Sequence, residues 1–513
     1  MSASGASPGE PPTSGRAAGS GTRNARGRRS SRPASLEWER LRDSVAGEVV
    51  LPGSPGYEAA RKPTLANFHD TRPQAVVLCE TPEDVSEAIL FARRHGLRAA
   101  PRSGGHCFAG RSSTEGIVID VSPMRSVSVS GGVATIGAGA RLGAVYDALD
   151  ANGLAVPAGC GPSVGIAGLA LGGGLGILGR RHGLTSDSLL EAQVVLADGR
   201  IVECNERNEP DLFWALRGAG GGNFGVVTSL AFRTVPAPAA TAFHLIWPHA
   251  CAAAVVDAWQ HSAPAAPDEM AASLLLVAPG EPERPLVANV FGAMLGTEPD
   301  ARELLDGLVA RAGAEPDSAF LDHMPYREVK RYLAELGDAM AGEDDRIGDA
   351  PNAEPSGHSF SKSGFFRGPL PREAIEALVE NLAEGRVAGQ SRELDFSPWG
   401  GAYNRVPAEA TAFSHRAELF LLQHVVVTGP DASATGTEDA RRWLGRSWNL
   451  ARPWGSGGVY PNWPDPDLVD WARAYHGANL ERLVNIKRRY DPEGFFRFHQ
   501  SVPDRVASEN APA

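Results

Sequence analysis

The sequence predicts an α+β chain folded as two or three substructures, and three observations predict it. At 513 residues the chain is longer than one hydrophobic core supports. Short apolar runs alternate with amphipathic helical stretches on both sides of Pro236-Ala237-Pro238, which reads as a linker. Two glycine-dense segments, 102–110 and 157–176, each leave a strand-like run.

Residues 1–34 are rich in Gly, Ser, Ala, Pro and Arg, with little to bury, and are expected to be disordered, as is the end 506–513. Arg28-Arg29 is followed by the charged, helix-like Leu36-Glu37-Trp38-Glu39-Arg40 instead of an apolar export segment, so a cytoplasmic location is expected. Residues 75–78 read as a buried strand. Thr81-Pro82-Glu83-Asp84 then gives an N-cap, a first-turn proline and first-turn acids, and the helix closes at Gly96. Strands follow over 97–100, 116–121, 126–129 and 133–136, a helix over 142–152, and strands over 190–196 and 226–232. Beyond the linker come strands over 271–278 and 286–292 and a helix over 297–312 with Thr297 as cap. Residues 339–358 are polar and loop-like, and 471–490 reads as one long helix ended by Asp491-Pro492-Glu493-Gly494.

Composition excludes several functions. Acids outnumber bases 61 to 49, which argues against nucleic acid as a partner. No run is long and apolar enough to span a bilayer. The five cysteines (Cys79, Cys107, Cys160, Cys204 and Cys251) are scattered, odd in number and without metal spacing, which suits a reducing compartment and no metal site. The glycine segments carry the positive signal. Glycine lets the main chain reach positive φ and turn successive N–H groups onto an anion such as a pyrophosphate. Neither segment opens a helix directly after the first strand with an acid about 20 residues on, as the Rossmann fingerprint demands.

The residues themselves resemble the berberine-bridge-enzyme-like FAD-linked oxidases, with their PCMH-type FAD-binding domain, of the vanillyl-alcohol-oxidase superfamily. Arg102-Ser103-Gly104-Gly105-His106 with Ala109-Gly110 resembles the histidyl-flavin loop, and the run from Pro157-Ala158-Gly159 to Gly172-Gly173-Gly174 the second loop. Gly183-Leu184-Thr185-Ser186-Asp187, Asp211-Leu212-Phe213-Trp214, Gly222-Asn223-Phe224-Gly225-Val226-Val227 and Tyr475-His476-Gly477-Ala478-Asn479 continue it in order over roughly 60–505. The resemblance implies a bipartite FAD-binding domain, 35–237 plus 451–505. It also implies an inserted substrate domain, 238–450, with an antiparallel sheet flanked by helices. It implies FAD held by Arg102, Ser103, Gly104, Gly105, His106, Gly110, Cys160, Gly165, Gly168, Gly173, Gly225, Val227, Tyr460 and Asn462. His106 is the expected covalent attachment. Relatives with a second, cysteinyl bond place that cysteine where Gly161 stands here; Cys160 is one residue early, so a single bond is expected.

Three departures bear on catalysis. The tyrosine ending the family's Tyr-x-Asn-Tyr segment is Trp463, leucines follow His415-Arg416 where an acid is expected, and Leu175 replaces a tyrosine after the triple glycine. Tyr403 and Tyr460 remain as catalytic bases, with His424 behind them. Trp463, Trp399 and the leucines suggest an apolar pocket for a hydrophobic or aromatic small molecule. The resemblance implies oxidation of an alcohol, amine or activated C–H carbon of that molecule by hydride transfer to the flavin N5, in natural-product tailoring, with O2 as electron acceptor. A redox-neutral cyclase or isomerase on the same fold is the competing reading, and a non-enzymatic flavin-binding protein a third.

Overall fold

Three large sheets organise the described residues of the chain, which are 35–341 and 357–505 of the computed structural model. The tails 1–34 and 506–513 and most of the polar segment 339–358 lie outside the described residues. The first sheet has four strands in the order Glu48–Val50, Ala75–Leu78, Ile117–Asp120, Ala99–Arg102, and its last three are parallel. The crossover from the second strand is the helix Pro82–His95. Its capping box forms as the sequence implies, with Asp84 N donating to Thr81 and Gly96 ending the helix at φ 64°. The second sheet is antiparallel: Val127–Ser130, Val133–Gly137, Val226–Arg233, Leu189–Val195, Ile201–Asn205. The two sheets and the helices on them bury one core, to which Val85, Ile89, Ile119, Ile136, Leu230 and Phe232 belong.

The third sheet has seven strands, all antiparallel, in the order Ser318–Pro325, Ala239–Pro248, Val287–Met294, Met270–Ala278, Gln390–Pro398, Phe420–Thr428, His358–Phe366. Side chains alternate across a strand, so each strand divides between two faces. Phe243, Leu245, Leu274, Leu276, Leu394, Phe396, Phe420 and Leu422 pack one face onto Trp259, Leu305, Leu378 and Trp443 of four covering helices. The opposite face is partly polar. One row of cross-strand partners there reads Ile246, Asn289, Leu275, Asp395, Gln423, Ser363.

Two expectations need correction. Pro236 does not lie in a free linker: Val235–Pro236 pairs with Leu154–Ala155 as a short strand. The long C-terminal helix is two, Trp471–His476 and Leu480–Tyr490. Gly477 breaks it at φ 50°, and Asn479 donates to the carbonyls of Ala408 and Thr411, a tertiary demand that overrides helical continuity.

Candidate cofactor and active site

The strand Ala99–Arg102 delivers the chain into the first glycine loop, and the second loop meets it backbone to backbone. A Cβ on Gly104 would collide with the main chain of Gly165, and a Cβ on Gly165 with Gly104 N and Ser103 Oγ. Nothing at that contact is a flexible side-chain end except the Ser103 hydroxyl, which donates to Ala138 O at 2.7 Å. Gly104→Ala is therefore expected to abolish retention of cofactor through desalting while leaving much of the secondary structure, measured by absorbance and circular dichroism.

Other loop residues take the places their types suggest. Gly105 has φ 74° against Pro63 and Thr64, and Gly110 has φ 66° over the ring of Phe68. His106 is half-buried. Gly165 caps the helix Ile166–Leu171, and Gly168 on it faces open space. Gly173 and Gly174 turn at φ 114° and 86°.

The side chains of other expected binders make contacts within the protein. The Arg102 guanidinium is buried and spent on the carbonyls of Ala60, Arg61 and Ser112, so it braces the ends of the loop instead of facing its mouth. The Val227 side chain lies in the apolar core, and Gly225 packs on Val194 and Val195. Cys160 packs with Tyr326 and lies 3.8 Å from Lys330 Nζ, whereas neighbouring Gly161 is exposed. The displaced cysteine thus points to the helix Tyr326–Ala341.

Lys330, which sequence reasoning missed, ties the second loop to the helix Tyr326–Ala341. Nearly fully buried, it donates to Ala158 O at 2.8 Å and Gly159 O at 2.6 Å and lies 4.4 Å from the centre of the Tyr146 ring. Burial lowers its pKa, and the two carbonyls and the ring compensate the charge. A lysine among ordinary helical charges carries no signal of this in the sequence. Lys330→Met is expected to destabilise the holoprotein by about 1–3 kcal/mol, read by denaturant unfolding, because charge-assisted hydrogen bonds are lost while a desolvation cost is relieved.

The two candidate tyrosines converge on the second loop, but not as free phenols. Tyr460 Oη accepts from Gly174 N at 3.0 Å and from Asn462 Nδ2 at 3.1 Å, while Asn462 Nδ2 also donates to Leu169 O. Tyr403 Oη accepts from Gly176 N and donates to Gly176 O, both at 3.1 Å, and its ring stacks on Trp399. Both are buried in one aromatic cluster with Phe365, Phe413 and Leu421, against which Leu175 and Trp463 pack. Burial pushes Tyr460 up to about 12 and Tyr403 higher still, the wrong direction for a base at neutral pH. These hydroxyls clamp the glycine loop. His424 is directed to the helical side of the sheet, where Nδ1 meets Ser447 at 2.8 Å, and burial lowers it to about 3.

A different ionisable group faces the loops. Leu421 and Phe365 of the aromatic cluster sit on the polar face, one register step from Gln423 and Ser363, and therefore about 7 Å along the strands. Asp395, opposite Gln423, belongs to that next row. Its Oδ1 is buried with no hydrogen-bond partner among the described residues, and burial raises the carboxyl to about 7. The signal was the alternation Glu393-Leu394-Asp395-Phe396-Ser397, which assigns polar residues to one face.

Comparison with known proteins decides what these loops hold. The family model for an FAD binding domain matches residues 73–205, and the model "Berberine and berberine like" matches 459–503. A Bacillus subtilis protein named as an uncharacterized FAD-linked oxidoreductase, YgaK, is 33% identical over 470 residues, covering 90% of this chain and 97% of that one. The chain belongs to the berberine-bridge-enzyme-like FAD-linked oxidoreductases. Among solved structures, the berberine-bridge-enzyme-like 1 protein of Physcomitrella patens superposes with TM-score 0.81 at 27% identity, covering 91% of this chain and 99% of that one. A xylooligosaccharide oxidase of Myceliophthora thermophila, solved with xylobiose, gives 0.79 at 28% identity, covering 92% and 100%.

This berberine-bridge-enzyme-like protein is thus an oxidoreductase that binds FAD. The residues present fit that group: two touching glycine loops, a glycine facing open space on the second, and a half-buried histidine two residues along the chain from the contact. Among the described residues no cluster of three metal-binding side chains occurs, and no helix is long and apolar enough to cross a membrane.

Proposed function

We propose that this protein is an oxidase that carries FAD covalently through His106 and removes hydride from a hydroxyl-bearing carbon of a small molecule, with Asp395 accepting the hydroxyl proton. Asp395 carries this reading. A carboxyl raised to about 7 is poised between proton acceptor and donor at neutral pH, and Asp395, with its Oδ1 unpartnered among the described residues, lies on the face of the sheet that carries Leu421 and Phe365 of the aromatic cluster. When bound, FAD supplies the two-electron acceptor, and O2 renews it. The protein supplies the rest. The two loops fix the cofactor, Asp395 takes the proton, and Gln423, held at 2.7 Å to Ser361 Oγ, orients the hydroxyl beside it. The aromatic cluster keeps water from the reacting end.

The polar row suits a hydroxyl, and Leu175 and Trp463 beside it suit an apolar or aromatic body. The xylobiose-bound relative supports oxidation at a hydroxyl carbon, and a natural-product substrate would supply both parts. All five cysteines are free thiols, which supports a cytoplasmic setting. Anaerobic mixing with aromatic alcohols and xylobiose tests the reading: bleaching of the flavin absorbance is expected with at least one. Turnover without bleaching would overturn it in favour of redox-neutral chemistry. Because both phenols clamp backbone, Tyr403→Phe and Tyr460→Phe are expected to keep reduction rates within about tenfold of wild type, far above the loss that removing a general base brings; stopped-flow reduction checks this.

A further inference from the structure

Beside the first glycine loop a cleft of about 440 Å³ opens at the edge of the seven-stranded sheet. Its apolar walls are the rings of Phe68, Phe108 and Phe360 with Leu444, and Phe108 is two residues beyond His106. Asn67 closes the strand's exposed backbone there. Its Nδ2 donates to Ser359 O at 2.9 Å, and its Oδ1 accepts from Ser359 N at 3.0 Å. The charges at the cleft are spent on one another. Lys362 pairs with Asp465 at 2.7 Å and Arg441 with Asp467 at 3.0 Å. Such a lining selects no ion. One polar atom remains to be satisfied: His358 Nδ1 is buried with no hydrogen-bond partner among the described residues.

The geometry points to this cleft as the subsite for a neutral, hydroxylated aromatic ring at the far end of the substrate. The inference rests on the reading of the polar sheet face as the substrate floor, because Ser361 joins the two: its hydroxyl accepts from Gln423 in that floor, and it also lines the cleft. A volume of about 440 Å³ lies within the range of small-molecule pockets and holds one or two fused rings. The three phenylalanines supply faces and edges for the ring, and a small turn of the His358 side chain would bring its unpartnered Nδ1 to the hydroxyl. The substrate class narrows accordingly to an elongated molecule, with a reacting alcohol at one end and a phenol-like ring at the other.

Calorimetric titration of the flavin-loaded protein with 2-naphthol tests this without turnover. One site per chain is expected. Phe360→Ala and Thr437→Trp, which would fill the cleft from the helix Ala434–Ala451, should each weaken binding about tenfold. Retained flavin absorbance shows that each variant has folded. Absence of naphthol binding in the wild type, or unchanged affinity in both variants, overturns the subsite. The two readings fail separately. Binding that responds to the cleft variants while Asp395→Asn reduces at the normal rate retires only the assignment of Asp395. Slow reduction in Asp395→Asn with cleft variants that change nothing retires only the cleft.

Discussion

Denatured wild-type protein is expected to retain its flavin, with an intact mass one FAD above that of the polypeptide, and His106→Ala to show none of that added mass. His106 is half-buried and lies two residues beyond Gly104, which touches Gly165 of the second loop. The same variant should still bind FAD reversibly, because the loop backbone remains. Tethering through an imidazole withdraws electron density from the ring system, so the bound but untethered cofactor should have a lower reduction potential than the wild type. Cys160→Ala should change neither mass nor potential, since the thiol points to Lys330 and Tyr326. A flavin peptide containing Cys160 would refute the single attachment. So would the mass shift persisting in His106→Ala.

Asp395→Asn should slow flavin reduction by about 10²–10⁴-fold at saturating substrate, the range expected when a positioned base is lost. In the wild type the rate should fall as pH drops through about 7, because only the ionised carboxylate accepts a proton. The stability effect has the opposite sign. Burial raises the folded-state value above the unfolded one near 3.9, so the folded protein holds this proton more tightly and loses stability as pH rises from about 4 to about 7. The asparagine variant is free of that loss, and at pH 8 it should melt at or above the wild-type temperature while being nearly inactive. A normal reduction rate in a well-folded Asp395→Asn would remove the carboxylate from the mechanism.

Much of the scaffold could be read in advance because local chemistry and tertiary fold agree there. Thr81, Asp84 and Gly96 cap their helix, and Val226 begins the strand expected over 226–232. The glycine loops were legible because positive φ and close backbone approach both call for positions without a Cβ. The fates of side chains were harder to read. Arg102 and Val227 lie within recognisable motifs, yet one is consumed by carbonyls and the other by core packing, which depend on residues such as Ala60 and Val194 far away in the chain. Tyr403 follows Gly400-Gly401, and those glycines, at φ 89° and 55°, turn the chain so that the phenol runs under Trp399 to Gly176. His424 lies in the run Leu421-Leu422-Gln423-His424-Val425, whose apolar residues fall on both faces and hide which way the imidazole points. Lys330 is the extreme case, since its partners are main-chain oxygens from a loop about 170 residues earlier.

The contact between Gly104 and Gly165 also constrains how this protein can change over generations. At most packed positions a bulky replacement is rescued by trimming the neighbour. Here each glycine faces mainly the other's main chain, which no substitution can trim. Single and paired replacements are closed alike, so lineages descending from this sequence can diversify the sheet face and the cleft around it while these two positions stay where they are.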